Sequence, residues 1–137
     1  DVYPTAVRLA LILADAPLID ALRELCAAFK SKGQELAAVL KMGRTQLQDA
    51  VPMTFGQEFD GWAITMGEDI ERLGEMLKLL TEINLGGTAI GTGINTHPEY
   101  AQRAVDHLSA LSGFSFSLAP SLIEATSDTG ALCFRAS

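Results

Sequence analysis

Thr45 and Gln46 are the residues best suited to chemistry in this chain, a hydroxyl beside a carboxamide in the stretch Lys41–Pro52, KMGRTQLQDAVP. The pair offers donors and acceptors without net charge, which suits orienting a polar substrate group rather than moving a proton. It also suits the plainer task of satisfying backbone groups of its own loop, and spacing alone leaves both readings open. Gln48 and Asp49 read as loop-bracing residues, and Arg44 as a partner for a carboxylate of protein or ligand. No run of charge accounts for the stretch as solvated surface.

The remaining candidates weaken on inspection. Gly86–Asn95, GGTAIGTGIN, has the look of a phosphate loop, but it follows helical periodicity, lacks a Lys-Ser/Thr pair and matches no GxGxxG. It reads instead as a tight passage in which glycines allow positive φ and close backbone approach. His97 and His107 share no helix turn, so they make no metal pair and read as structural. Thr126-Ser127-Asp128 resembles an N-cap cluster more than a nucleophile with its partner, since no histidine lies near in sequence. Cys26 and Cys133 lack CxxC or Cys/His spacing and read as two lone thiols. No metal site and no cofactor is expected.

Long helices must position the Lys41–Pro52 stretch. Upstream, Pro4–Ala14 is helical, and from Leu18 the apolar positions Leu22, Leu25, Phe29, Leu36 and Val39 continue a bundled seam to about residue 40. Pro17 either kinks this helix or starts a new one. Downstream, Phe55, Phe59, Trp62, Met66, Ile70, Leu73, Leu77, Leu80 and Ile83 step by three and four, a helix of about 54–85 and roughly 45 Å. Thr54 and Gln57 make a capping box at its start, and Gly86-Gly87 end it. Its other face, with Glu68, Glu71, Arg72, Glu75 and Lys78, reads as solvated. A shorter helix is expected at about 97–112, opened by a Thr96/Glu99 capping box and stopped by Gly113. Phe114–Pro120 reads as an extended connector, and a truncated helix is expected at about 127–137. The fold class is therefore all-α, a long-helix bundle with a loop over 41–53.

The length of 137 residues fits one domain. A hydrophobic fraction of 48% with 20% charged residues excludes disorder. That much apolar surface predicts burial against other copies or further parts of the protein. Net charge is −7 with no basic stripe, which argues against a nucleic-acid partner. No apolar run approaches the ~18 residues of a spanning helix, and no secretory signal opens the chain, so no membrane partner is expected and a reducing cytoplasm fits the thiols. Asp1 is not an initiator Met and Ser137 ends an apolar-rich segment, so the chain reads as a piece of a longer protein.

Three segments resemble the aspartase/fumarase superfamily. Asp1–Thr5 looks like the tail of its SxNDxYPT segment, Lys41–Phe59 like GRTHLQDAxPxTxGQEF, and Leu85–Thr96 like LGGTAxGTGLNT. Leu122–Asp128, and Gln46 in place of a fumarase histidine, resemble aspartate ammonia-lyases rather than class II fumarases. The resemblance implies a segment of a central helical domain and reversible elimination of ammonia from L-aspartate to give fumarate. In that scheme a base removes the proton beside the β-carboxylate, a ring of donors holds the aci-carboxylate, and the amino group leaves. Thr45 is then the contact to the substrate amino group, with Gln46 alongside. The Ser-Thr-Asn expected before Asp1 and the later GSSxMPxKxNP loop, with its catalytic serine, are not in the sequence. The resemblance further implies a small-molecule substrate (L-aspartate or fumarate), a homotetramer with active sites shared among subunits, and no catalytic residue or lyase activity in these 137 residues alone. Class II fumarase chemistry and a helical self-association module are the alternatives.

Overall fold

The computed structural model describes residues 1–136, with side chains through Cys133. In chain order the elements are α1 (Val2–Glu35), β1 (Leu40–Thr45), β2 (Gln48–Thr54), α2 (Phe55–Leu80), β3 (Glu82–Ile83), α3 (Tyr100–Ser112), β4 (Ser117–Leu118), α4 (Leu122–Ser127) and α5 (Gly130–Ala136). Helix dominates, as the all-α reading requires, and the strands are short. The chain forms two compact units. One is Pro17–Arg72, and the other joins Asp1–Ala16 to the residues from Leu73 onward.

In the Pro17–Arg72 unit the main correction concerns the expected loop over 41–53, which is an antiparallel β-hairpin pairing Leu40 with Thr54 and Thr45 with Gln48. Sequence alternation cannot reveal it, because most residues on both faces of these strands are exposed and no apolar face repeats every second residue. Pro52 is tolerated because each strand of a two-stranded ladder is an edge. Helix α1 runs through Pro17 rather than starting there, and it stops at Glu35, short of residue 40. It stops because the chain folds back on itself. Val39 N–H donates to the Leu36 carbonyl, Phe55 N–H to Val39 at 2.9 Å, and Gly56 N–H to Leu36 at 3.1 Å.

The Thr54/Gln57 capping box forms as expected. Gln57 N–H donates to Thr54 Oγ1 at 3.1 Å and Thr54 N–H to Gln57 Oε1 at 3.0 Å. Small residues, not the large apolar seam, set the closest packing here. A Cβ on Gly56 would lie 2.7 Å from both Ala37 Cα and the Gly33 carbonyl oxygen, and Ala63 is buried. Phe29, Phe59 and Trp62 form a ring cluster with centroids 4.9–6.0 Å apart, yet Trp62 remains 45% exposed.

The other unit has its core at Ile12, Leu80, Ile83, Val105 and Phe116. Helix α2 ends at Leu80 rather than at Gly86 because the next residues leave it to form a parallel ladder with Ser117–Leu118. Ser117 N–H donates to Thr81 and Ala119 N–H to Ile83, each at 3.0 Å. The stripe of α1 in this unit is partly polar, with Thr5, Arg8, Ile12 and Asp15 all buried. Arg8 is the reason the break in α2 is stable, for its Nη1 donates to the carbonyls of Leu79 (3.0 Å) and Glu82 (2.9 Å). A cation at a helix C-terminus also complements the dipole.

Helix α3 ends at Gly113, as expected, in the left-handed region at φ 77° with its N–H on the Ser109 carbonyl. It does not open with the Thr96/Glu99 box. Glu99 N–H, from which the Thr96 hydroxyl would have to accept, donates to His97 Nδ1 at 3.2 Å instead, and the helix begins at Tyr100 with Glu99 itself at the N-cap. The helix expected over 127–137 is α5, which begins at Gly130, and the turn expected before it is a short helix, α4. Ser121 Oγ accepts from Glu124 N–H to open α4, and Asp128 Oδ1 accepts from Gly130 N–H at the start of α5. Thr126 and Ser127 bond back to the carbonyls of Leu122 and Glu124, so only Asp128 of that tract acts near a helix start. Ser137 lies outside the described residues.

Candidate functional site

Thr45 closes the β1–β2 ladder opposite Gln48, and Gln46-Leu47 form the two-residue turn. Both turn residues have positive φ, 46° and 64°. Two-residue hairpins need this geometry to match strand twist, and Asn-Gly usually supplies it. Gln and Leu adopt it at a cost of roughly 1–2 kcal/mol each. Leu47 is also fully exposed, so its own burial does not offset the strain.

The plainer reading of Thr45 and Gln46, as braces of their own loop, requires side-chain bonds to that loop. Among the described residues neither side chain makes one, and both are exposed. Bracing falls elsewhere. Arg44 Nε donates to Asp49 Oδ1 at 3.2 Å across the hairpin. Lys41 Nζ lies 2.6 Å from both oxygens of Glu58 and 5.1 Å from the centroid of the Phe55 ring. Lys41, Arg44, Met53, Phe55 and Glu58 line an open cleft of about 550 Å³ beside the hairpin. The hydroxyl and carboxamide thus stand free at the tip, while charged neighbours secure the strands below.

The glycine-rich passage is what its composition suggested. Gly86, Thr88, Gly91, Gly93 and Asn95 all have positive φ. A Cβ on Gly86 would lie 2.5 Å from Ala101 Cα, and one on Gly91 would lie 2.4 Å from the backbone of Ile123. Sequence reasoning missed what anchors the passage. Asp1 Oδ2 accepts from the N–H groups of Gly86 (3.1 Å) and Thr88 (3.2 Å). A separation of more than eighty residues leaves no local signal for that contact.

His97 and His107 do share a feature that spacing hid, for both line one surface groove of about 530 Å³ with Tyr100 and Arg103. His97 Nδ1 accepts from Glu99 N–H at 3.2 Å. Among the described residues no group of three His, Cys, Asp or Glu is arranged to hold a metal. Both cysteines are free thiols, and Cys26 Sγ donates to the Ala63 carbonyl. Among the described residues no helix is long and apolar enough to cross a membrane.

A family profile described as "Lyase" matches residues 1–135. The chain belongs to this lyase family. Aspartate ammonia-lyases of Pseudomonas aeruginosa, Escherichia coli K12 and Helicobacter pylori are 60%, 50% and 47% identical to it, each over 96% of the chain. The chain spans 28%, 27% and 28% of their lengths. The fumarate lyase:delta crystallin of Brucella melitensis, solved bound to cobalt, superposes with TM-score 0.91 at 54% identity, over 99% of this chain and 30% of that one. A class II fumarase of Schistosoma mansoni gives TM-score 0.87 at 29% identity, over 98% and 31%. In this member of the lyase family the three motif segments have clear places. Asp1–Thr5 opens α1, Lys41–Phe59 forms the hairpin and first turn of α2, and Leu85–Thr96 forms the glycine-rich passage.

Proposed function

We propose that this chain is a central-domain segment of an aspartate ammonia-lyase, an enzyme converting L-aspartate reversibly to fumarate and ammonia. The observation that carries the reading is the identity of 47–60%, over 96% of the chain, to relatives named for that activity. The more distant likeness to a class II fumarase, at 29% identity, makes malate the natural competitor.

Within that reading the hairpin tip supplies the substrate contacts. The Thr45 hydroxyl meets the amino group, and the Gln46 carboxamide, whose oxygen accepts from an ammonium, stands beside it. A neutral pair serves orientation well, because it holds the amino group without competing for the proton abstracted at the neighbouring carbon. Support comes from two features of the hairpin, the strained turn and the freedom of both side chains from local bonds.

The proton acceptor and the groups that hold the aci-carboxylate belong to other segments of the complete enzyme, so the 137-residue chain alone is inactive. The complete enzyme is a cytoplasmic homotetramer. The exposed apolar residues Leu18, Leu25, Trp62 and Ile64 support self-association. The test is fumarate exchange by the full-length protein, with L-aspartate and L-malate offered in parallel. Turnover of aspartate with little or no turnover of malate is expected. Preference for malate would replace the ammonia-lyase reading with a hydratase, and inertness toward both would remove it.

A further inference from the structure

We infer that Lys41 and Glu58 are positioning residues, an ion-pair clamp that fixes the angle of the β1–β2 hairpin and so sets where Thr45 and Gln46 meet substrate. The inference rests on the lyase reading above. A two-stranded hairpin is marginal by itself and needs an outside support to hold one orientation. Backbone bonds from Phe55 to Val39 and from Gly56 to Leu36 pin only its base. Beyond the base, Lys41–Glu58 is the one ion pair among the described residues that joins a hairpin strand to a helix.

Its geometry suits the task. Lys41 Nζ sits 2.6 Å from both carboxylate oxygens, and the two side chains are only 22% and 26% exposed, so solvent screens the pair less than a surface contact. Phe55, the first residue of α2, lies under the ammonium and restricts it from a second side. Lys41 and Gly43 are the two less exposed residues of β1, and the ladder shifts register between Met42 and Arg44. Gly43, between Lys41 and Thr45, is buried, and a Cβ there would lie 3.0 Å from the Val51 carbonyl oxygen, so the two strands lie close together just beyond Lys41. Lys41 and Thr45 are about 13 Å apart along the strand, and over that lever a rotation of about 10° moves the tip by about 2 Å. Displacement on that scale decides whether an oriented contact forms.

A loosened hairpin still reaches the productive position part of the time, and bound substrate selects it. Losing the clamp therefore raises KM while sparing kcat. In the full-length protein, Lys41→Met and Glu58→Gln are expected to raise KM for L-aspartate about fivefold with kcat held within about twofold. The charge-reversed double variant Lys41→Glu/Glu58→Lys should recover most of that loss, as a direct pairwise interaction requires. Hydrogen exchange of the 40–54 amides should be faster in each single variant than in the parent and slower again in the double variant.

Unchanged exchange and unchanged KM in the single variants would overturn the clamp. So would a fall in kcat that tracks lost thermal stability with no recovery in the double variant, since that marks a merely structural pair. Failure of the unmutated full-length protein to convert L-aspartate would instead overturn the ammonia-lyase reading. The exchange measurement would still decide whether Lys41–Glu58 holds the hairpin.

Discussion

At the scale of single residues, this chain spends conformational strain where its candidate chemistry and its tightest packing lie. Gln46 and Leu47 hold a turn that glycine or asparagine would occupy at lower cost, and that turn presents the free carboxamide beside Thr45. Gly86 is the opposite case, a glycine with no substitute. At φ 93° and with Ala101 Cα 2.5 Å from any added Cβ, it fails both tests that an alanine must pass. Gly86→Ala is expected to destabilise the full-length protein by about 3 kcal/mol or more, combining left-handed strain with overpacking. Thermal unfolding would show it as a clear drop in Tm, and an unchanged Tm would mean the passage can open without loss.

At the scale of elements, legibility followed whether a segment's burial is one-sided. The stripe Phe55–Ile83 steps at helical spacing, and the capping box and the start of its helix formed where the sequence placed them. Gly113 announced the end of α3 by the same local chemistry. The hairpin was not legible, because strands exposed on both faces carry no period of two. The early end of α2 was hidden for a different reason, since it depends on Arg8 and on a ladder with Ser117–Leu118, both distant in sequence. The Thr96/Glu99 box failed because His97 takes the Glu99 N–H and the helix starts at Tyr100. Of the candidate site, the residue types at positions 45 and 46 were readable. Their setting at a strained turn, and the Lys41–Glu58 pair below them, required the fold.

At the scale of the whole molecule, the chain carries more apolar surface than its own two units cover. Leu25, Trp62, Ile64 and Leu79 are each at least 40% exposed, on α1 and α2, which bury Ile19 and Ala63 respectively. Isolated exposed apolar side chains are ordinary, but a series of them along the same long helices marks surface that another body covers. The full-length protein should therefore sediment as an oligomer, and charged substitutions at Trp62 and Ile64 together should shift it toward smaller species. A parent protein that sediments as a monomer would contradict this.

The central claim is that the β1–β2 hairpin delivers a substrate contact in an ammonia-lyase, and Thr45→Ala in the full-length protein tests it most directly. Steady-state deamination of L-aspartate should show kcat/KM lowered roughly 10- to 100-fold, the cost of one hydrogen bond to a charged group, with Tm and oligomeric state retained. A Thr45→Ala protein that turns over aspartate at the parental kcat/KM would contradict the account at its centre.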